Sequence, residues 1–266
     1  MNDESKMSEQ SSMTGHQEKL QIVGPKDKFP KVTLVEPTQS GYLFLALEVD
    51  HRPPVGFFVE SQRKKTLIKN LKALARQLLD SNDVLEATVF KAMIVPPGRG
   101  ALLKDRPEVN IARFDVTLLV EFTTPEAAQS FASSVQWQEA LTSADKLASK
   151  SITVTASNAR RIGPVDHSRD GVFLFNYFYA DSLDLNLQVW NYTAGWFEDQ
   201  TGLDNSTLLL PDPKPGISYT IINHCRWDRL RDILPALLFN RTFRSFVLAN
   251  FQKNNTAAMP ILYRLA

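Results

Sequence analysis

Side chains that could take part in chemistry are concentrated in the second half of the sequence. Asn176 lies between apolar and aromatic neighbours, and an amide buried there without a hydrogen-bond partner would cost about 1–3 kcal/mol. It therefore needs a protein partner or a ligand. His224 lies in a β-like run and is a candidate base or hydrogen-bond donor. Aromatic candidates for ligand contact are Tyr177, Tyr179, Trp190, Tyr219 and Trp227.

Strand alternation divides the candidates in the run 172–180 between two faces of a sheet. Tyr177 and Tyr179 share the face of two phenylalanines, and Asn176 falls on the opposite face. Tyrosine and tryptophan side chains are also typical of a core in which only the polar tip needs a partner. A purely structural role therefore stays open for each aromatic candidate.

The run 217–227 is predicted to be a single strand that carries the remaining strand candidates. Tyr219, Asn223 and Trp227 would then share one face, and His224 would fall on the other. The sequence does not say which face borders a pocket.

A helix predicted over 184–200 carries Trp190 and Trp196. Residues six apart lie on different sides of a helix. One indole is therefore expected in the core, and the other is expected to line a pocket or face solvent.

Several other chemistries have no support in the sequence. The histidines lack paired spacing with carboxylates, so no metal site is predicted, and His16, His51 and His167 are expected to be solvated. Neither a phosphate-binding glycine loop nor a nucleophile elbow is present. Cys225 is the only cysteine; it excludes an intrachain disulfide and is expected to be a buried, unreactive thiol.

Composition excludes general disorder and disfavours nucleic-acid binding. The 266 residues are 43% apolar, and 30 basic side chains face 29 acidic ones, whereas nucleic-acid binding usually leaves a basic footprint. No signal peptide or membrane-length apolar run is evident, so no membrane association and a cytoplasmic location are expected. Residues 1–40 are predicted to be a disordered or loosely packed arm, whose later part lies on the first half.

The remaining chain predicts two halves, 41–165 and 171–266, with the same element order. The first half contains a strand at 42–49, a helix at 58–80, strands at 84–95 and 113–122, a helix from 124 to about 140, and a strand from 151. The second half contains a strand at 172–180, a helix at 184–200, strands at 207–210 and 217–227, a helical region at 228–252 broken near 240, and a strand at 260–265.

This order predicts an α+β fold of two ferredoxin-like β-α-β-β-α-β repeats. Strands such as 43–49 are apolar on both sides, so the sheet face away from the helices must also be covered. Packing the two halves sheet to sheet would cover it. A second chain would then be unnecessary, and a monomer or a weak homodimer is expected.

The opening strands begin at Gly41 and Gly171, and each third strand ends in an aromatic residue, Phe122 or Trp227, just before a helix. In these features the chain resembles the dimeric α/β-barrel superfamily in a tandem, fused form, similar to antibiotic-biosynthesis monooxygenases. The resemblance implies an intrachain dimeric α/β barrel. It covers about residues 41–266.

The superfamily includes haem-degrading enzymes, cofactor-free monooxygenases, lactone isomerases and members without activity, so the fold alone does not name a function. The haem-degrading pattern is incomplete, because the region 228–252 lacks both tryptophan and histidine. Cofactor-free members orient a planar polyphenol with Asn, Trp, Tyr and Arg side chains. By that resemblance Asn176 and His224 are the catalytic candidates, the five aromatic residues are the substrate-binding candidates, and no cofactor is expected.

Two functions remain open at the level of sequence. The first is a cofactor-independent monooxygenase, isomerase or cyclase that acts on a small aromatic or polyketide-like molecule, as in secondary metabolism. The second is a non-catalytic module that binds a small molecule or a protein. The pocket, between sheet and helices of the second half, is the feature expected to discriminate them.

Overall fold

The computed structural model describes residues 18–50 and 60–266. These residues form eight strands and six α-helices, with a 3-10 turn at Leu102–Asp105 and a π-helical segment at Phe243–Leu248. The strands are β1 (Gly41–Glu48), β2 (Val84–Ile94), β3 (Val116–Phe122), β4 (Lys150–Gly163), β5 (Val172–Ala180), β6 (Ser206–Pro211), β7 (Ile221–Trp227) and β8 (Thr256–Leu265). The helices are α1 (Gln62–Leu78), α2 (Pro125–Ala132), α3 (Val135–Asp145), α4 (Leu183–Thr201), α5 (Leu230–Phe239) and α6 (Ala249–Lys253).

The strands close into one antiparallel barrel in the order β1-β3-β2-β8-β5-β7-β6-β4. Within this ring each half contributes its own strands in the order fourth, first, third, second, which is the ferredoxin-like arrangement. The pairs β2–β8 and β4–β6 join the halves. The predicted fold, two ferredoxin-like halves forming an intrachain α/β barrel, is therefore confirmed.

The barrel interior is filled by side chains. Phe173, Phe175 and Tyr177 point inward from β5 and are fully buried, because alternate residues of a strand share a face. The hydroxyls of Tyr177 and Tyr263 lie 3.2 Å apart, and Tyr263 donates to the Phe114 carbonyl at 2.7 Å. The interior is therefore a packed core between the two halves.

The outer face of each half's sheet is covered by its own helices. In the first half, Leu67, Leu71 and Leu78 of α1 pack against that sheet, as their helical spacing predicts. The Ser61 hydroxyl caps this helix by accepting from the Lys64 N–H at 3.2 Å. In the second half, α4, α5, the π-helical segment and α6 form the equivalent layer.

The two opening glycines are required by close packing at corresponding places. A Cβ at Gly41 would collide with the Thr124 carbonyl oxygen, where α2 begins. A Cβ at Gly171 would lie 2.6 Å from the Arg226 Nε, near the end of β7. In both halves the opening glycine thus lies against the end of the third strand or the residues just after it.

Two sequence-based boundaries were wrong. The helix expected from 124 to 140 is divided at Ser133 and Ser134 into α2 and α3, and the Ser134 hydroxyl caps the second of them. The strand expected over 217–227 begins only at Ile221. Before it, Gly216 has a left-handed φ of +82° and ends a turn closed by the Ile217 N–H on the Lys214 carbonyl.

The described part of the N-terminal arm lies mainly on the second half, contrary to expectation. Residues 19–35, called the strap below, run over α4 and α6; Gln21 and Val23 hydrogen-bond to Asn254 and Asn250. Only the end of the arm touches the first half, where Val35 pairs with Arg161 of β4.

Candidate functional site

A pair of adjoining cavities lies between the outer sheet face of the second half and its helices. Each has a volume of about 20 Å³, which is room for about one water molecule. Asn176, Trp227 and Phe251 border both of them. We call this space the helix-side cavity. Further lining side chains are Leu174, Trp190, Thr193, Phe197, Ser206 and Asn223.

Asn176 is the exceptional residue of this lining. Its side chain points outward from β5, opposite Asn223 of β7, and it is 8% exposed. Its Oδ1 atom is buried and has no hydrogen-bond partner among the described residues. Exchanging the amide oxygen and nitrogen would place an N–H donor at this position.

The neighbouring polar groups of the cavity are paired. The Asn223 Oδ1 accepts from the Ser206 hydroxyl at 2.6 Å, and the Thr193 hydroxyl donates to the Val189 carbonyl at 2.8 Å. The Trp227 indole N–H donates to the Thr201 hydroxyl at 3.0 Å. The unpaired group at Asn176 is therefore a local exception, in the one place where the lining opens onto free volume.

The two tryptophans of α4 behave as their spacing predicts. Trp190 lines the helix-side cavity. Trp196 is fully buried, and its indole N–H donates to the Thr242 hydroxyl at 2.7 Å. Trp190 and Trp227 thus give the cavity two aromatic walls beside Asn176.

The tyrosine candidates do not join this cavity. Tyr177 points into the barrel, as alternation predicted. Tyr219 also lies in the barrel core, where its hydroxyl donates to the Asn110 carbonyl at 2.9 Å; its predicted place beside Asn223 was wrong because β7 starts after it. Tyr179 lies at the end of β5 and donates to Asp181 at 3.1 Å.

His224 lies on the opposite side of the sheet from Asn176, inside the barrel. Its ring stacks on Phe175 with centroids 4.1 Å apart. Its Nδ1 lies 3.0 Å from the Leu174 carbonyl, and its Nε2 lies 2.7 Å from the Nε2 of His167. His224 therefore does not contact the helix-side cavity, and Asn176 and His224 do not act on one bound molecule there.

His167 is buried and bonded, so its expected solvation was wrong. Its Nδ1 lies 2.7 Å from the Glu86 carboxylate. A carbonyl only accepts, so His224 carries its proton on Nδ1 and its Nε2 accepts from His167. Glu86, His167 and His224 thus form a hydrogen-bonded chain that joins the two halves.

The electrostatics agree with this assignment of protons. Burial, reinforced by the neighbouring His167, lowers the pKa of His224 well below its ordinary value of 6.5. For Glu86, burial acts to raise the pKa, but the hydrogen bond and charge of His167 hold it below 4.5. Local sequence gave no sign of this chain of groups, because Glu86 and His167 meet only when the barrel closes.

Cys225 lines the helix-side cavity and is buried, as expected. Burial raises the pKa of its thiol far above the ordinary value, which keeps it protonated and unreactive. Over 18–50 and 60–266, no three histidine, cysteine or carboxylate side chains are grouped to hold a metal ion. No helix in the same ranges has the length and apolarity that crossing a bilayer would take.

The closed barrel identifies the fold of the chain. It is the tandem form of the dimeric α/β-barrel fold. No family model and no curated protein matches the sequence.

Solved structures show the same architecture at low sequence identity. An anthrone oxidase-like protein aligns with a TM-score of 0.59 and 11% identity, over 88% of this chain and 94% of its own. A protein from Fusobacterium nucleatum subsp. nucleatum, named as a candidate monooxygenase, aligns with a TM-score of 0.53 and 6% identity, over 86% of this chain and 93% of its own. At such identities the likeness establishes the fold.

Proposed function

We propose that this protein is a cofactor-independent monooxygenase that oxidises a small, planar, phenolic molecule in the helix-side cavity. The observation that carries the proposal is the buried, unpaired amide oxygen of Asn176, which borders the helix-side cavity together with the indoles of Trp190 and Trp227. Such an amide is destabilising without a ligand. The fold shared with an anthrone oxidase-like protein supports the same reaction type.

The chemistry suited to this lining is oxidation of a readily ionised substrate. An anthrone-like methylene is converted to a ketone by R₂CH₂ + O₂ → R₂C=O + H₂O. Loss of a proton places negative charge on the substrate oxygen, and the Asn176 amide would donate an N–H to that oxygen in the orientation that exchanges its oxygen and nitrogen. One such donor contributes on the order of 10²–10³-fold in rate.

The cavity lining restricts which substrates fit this scheme. Its described members include neither a carboxylate nor an imidazole, and the Cys225 thiol is held protonated. The proton must therefore leave to water from a substrate that is itself acidic. The indoles of Trp190 and Trp227 in the lining favour contact with a flat, electron-rich aromatic ring system.

A non-catalytic binding module is the second candidate, and it is favoured by a described lining that offers neither a carboxylate nor an imidazole as a base. About 20 Å³ is far below the roughly 150 Å³ that accommodates benzene in a protein interior. Either role requires the helices to move before a ring can enter. Turnover with oxygen uptake distinguishes the enzyme from the binder.

The experiment is oxygen uptake by purified protein in chelator-treated buffer with a panel of anthrones and hydroxynaphthalenes. Uptake above the spontaneous rate, with one ketone formed per O₂ consumed, is the expected result. Asn176→Leu should lower kcat by about 10²-fold or more.

Asn110→Ala is the matched control. That side chain contacts Lys150 and does not border the cavity, so its turnover should equal that of the parent protein. Equal turnover by Asn176→Leu would show that the reaction occurs elsewhere. Tight binding without oxygen uptake would establish the binding module instead.

A further inference from the structure

The strap is held to the second half through two buried asparagines of one helix. Asn254 accepts from the Gln21 N–H at 2.9 Å and donates to the Gln21 carbonyl at 2.8 Å. Asn250 does the same with Val23, at 2.9 and 3.4 Å. Each asparagine side chain thus accepts from the N–H and donates to the carbonyl of one strap residue, as the backbone of a neighbouring β-strand would. When the strap leaves, these amides meet water, so detachment leaves no buried polar group unpaired.

The same helical segment forms one wall of the helix-side cavity. Its strap side carries Phe246, whose ring lies 4.7 Å from that of Phe29 on the strap. Its cavity side carries Phe243, Leu248 and Phe251. The strap therefore fixes the position of this wall.

The opposite wall is held by the strap as well. Gly195 of α4 lies against the Pro30 carbonyl so closely that a Cβ would collide with it. Neighbouring α4 residues, Trp190 and Ala194, line the cavity. The strap thus spans the two helices between which a ligand would have to enter.

The π-helical segment Phe243–Leu248 gives this wall a means of moving. A π-turn holds one more residue than an α-turn, and such turns are frequent at functional sites. Conversion of the segment to an α-helix would rotate Phe243 and Leu248 relative to the cavity. Docking of Phe29 on Phe246 within the segment opposes that rotation.

We propose that the strap is an autoinhibitory clasp: while it is docked the helix-side cavity is too small for an aromatic ligand, and its release opens the cavity. This inference rests on the proposed ligand site and adds its regulation. Strap docking and ligand binding are then mutually antagonistic, and each weakens the other by the same factor.

The clasp is tested without any ligand by the accessibility of Cys225, the sole cysteine, which lines the cavity. The full-length protein is treated with iodoacetamide, and the labelling rate is followed by mass spectrometry. Gly195→Ala displaces Pro30 and should raise that rate about tenfold or more, because labelling follows the population of the open state. Hydrogen exchange at the Gln21 and Val23 amides should accelerate in parallel.

Two controls separate release of the strap from other effects of the substitutions. Ile22→Ala alters a half-exposed strap side chain between the paired residues, so its labelling should match the parent protein. Amide exchange in β1 should stay unchanged in every variant, which excludes global unfolding. If Gly195→Ala does not fold, Asn254→Ala removes one pair of strap bonds and should have the same effect on labelling.

The clasp proposal would be overturned if hydrogen exchange of the strap amides became faster while the Cys225 labelling rate stayed unchanged. It would also be overturned if hydrogen exchange of the strap became no faster in either variant. These outcomes are independent of the reaction. A protein without oxygenase activity that still shows release-dependent labelling contradicts the proposed function alone. A further arm titrates 1-naphthol: affinity should rise at least fivefold in Gly195→Ala, and an equal or weaker affinity would also contradict the clasp.

Discussion

Replacing Asn176 by leucine should make the protein more stable. The Asn176 amide has no partner among the described residues, and leaving such a group buried costs about 1–3 kcal/mol. Leucine removes that cost, because two methyl groups replace the amide oxygen and nitrogen, and the two adjoining volumes of about 20 Å³ each accommodate the slightly larger methyl groups. Subtracting part of the roughly 1 kcal/mol that imperfect packing costs, we expect a net gain of about 1–2 kcal/mol in the free energy of unfolding.

Asn223→Leu is the matched comparison, because it changes the same residue type at the facing position of β7. Its Oδ1 accepts from the Ser206 hydroxyl at 2.6 Å. The substitution leaves that hydroxyl buried without its partner, and should destabilise the protein by about 1–3 kcal/mol. The two variants therefore move in opposite directions although the chemical change is identical.

The assay is urea unfolding at pH 7.5, followed by tryptophan fluorescence, with the midpoints and slopes of all three proteins compared. If Asn176→Leu is destabilised as strongly as Asn223→Leu, the Asn176 amide has a partner in the native protein. The reasoning that assigns it to a ligand would then fail. A stability gain with loss of turnover is the pattern of a group retained for function.

Two further predictions concern the barrel itself. Below about pH 6.5 the unfolded chain gains a proton at His224 that the folded protein does not bind, because burial lowers the pKa of this histidine; stability should therefore fall as pH drops from 6.5. It should fall further below pH 4.5, where the unfolded chain protonates Glu86 while the folded protein, in which the Glu86 pKa is lowered, still holds the carboxylate ionised. Urea midpoints measured from pH 4 to 8 check this, and constant midpoints between pH 5 and 7 would contradict the neutral assignment of His224. Gly41→Ala places a methyl group against the Thr124 carbonyl and should lower the free energy of unfolding by at least about 2 kcal/mol. The control Val135→Ala, at an exposed site, should change it by less than about 0.5 kcal/mol. Equal urea midpoints for the two variants would show that the backbone at Thr124 moves away from Gly41 at little cost.

Much of the fold could be predicted because local patterns and burial agree. The leucine spacing of α1 predicts its buried face, and the apolar residues on both faces of β5 predict that it is covered on both sides. Two-sided apolar strands require a second covering layer, which the other half supplies. Asn176 could be recognised for the same reason, since an amide inside an apolar strand has few ways to be satisfied.

The features that could not be predicted depend on contacts between residues that lie far apart in the sequence. Tyr219 was misplaced because the turn at Gly216 delays the start of β7, and alternation cannot be extended through a turn. His167 was expected to be a solvated loop residue, because its contact with Glu86 forms only when the two halves pair. The strap lies on helices more than 150 residues away, with nothing in its own composition to indicate where it binds.

The central claim is that the Asn176 amide receives an aromatic ligand, and its side-chain NMR signals test this most directly. In a ¹H–¹⁵N spectrum those signals are assigned by their absence from Asn176→Leu. On titration with one- to three-ring hydroxyarenes, they should shift and saturate together with the indole N–H signals of Trp190 and Trp227, while the Asn110 amide stays in place. Binding that leaves the Asn176 signals unmoved, or no binding by any member of the series, would contradict the account.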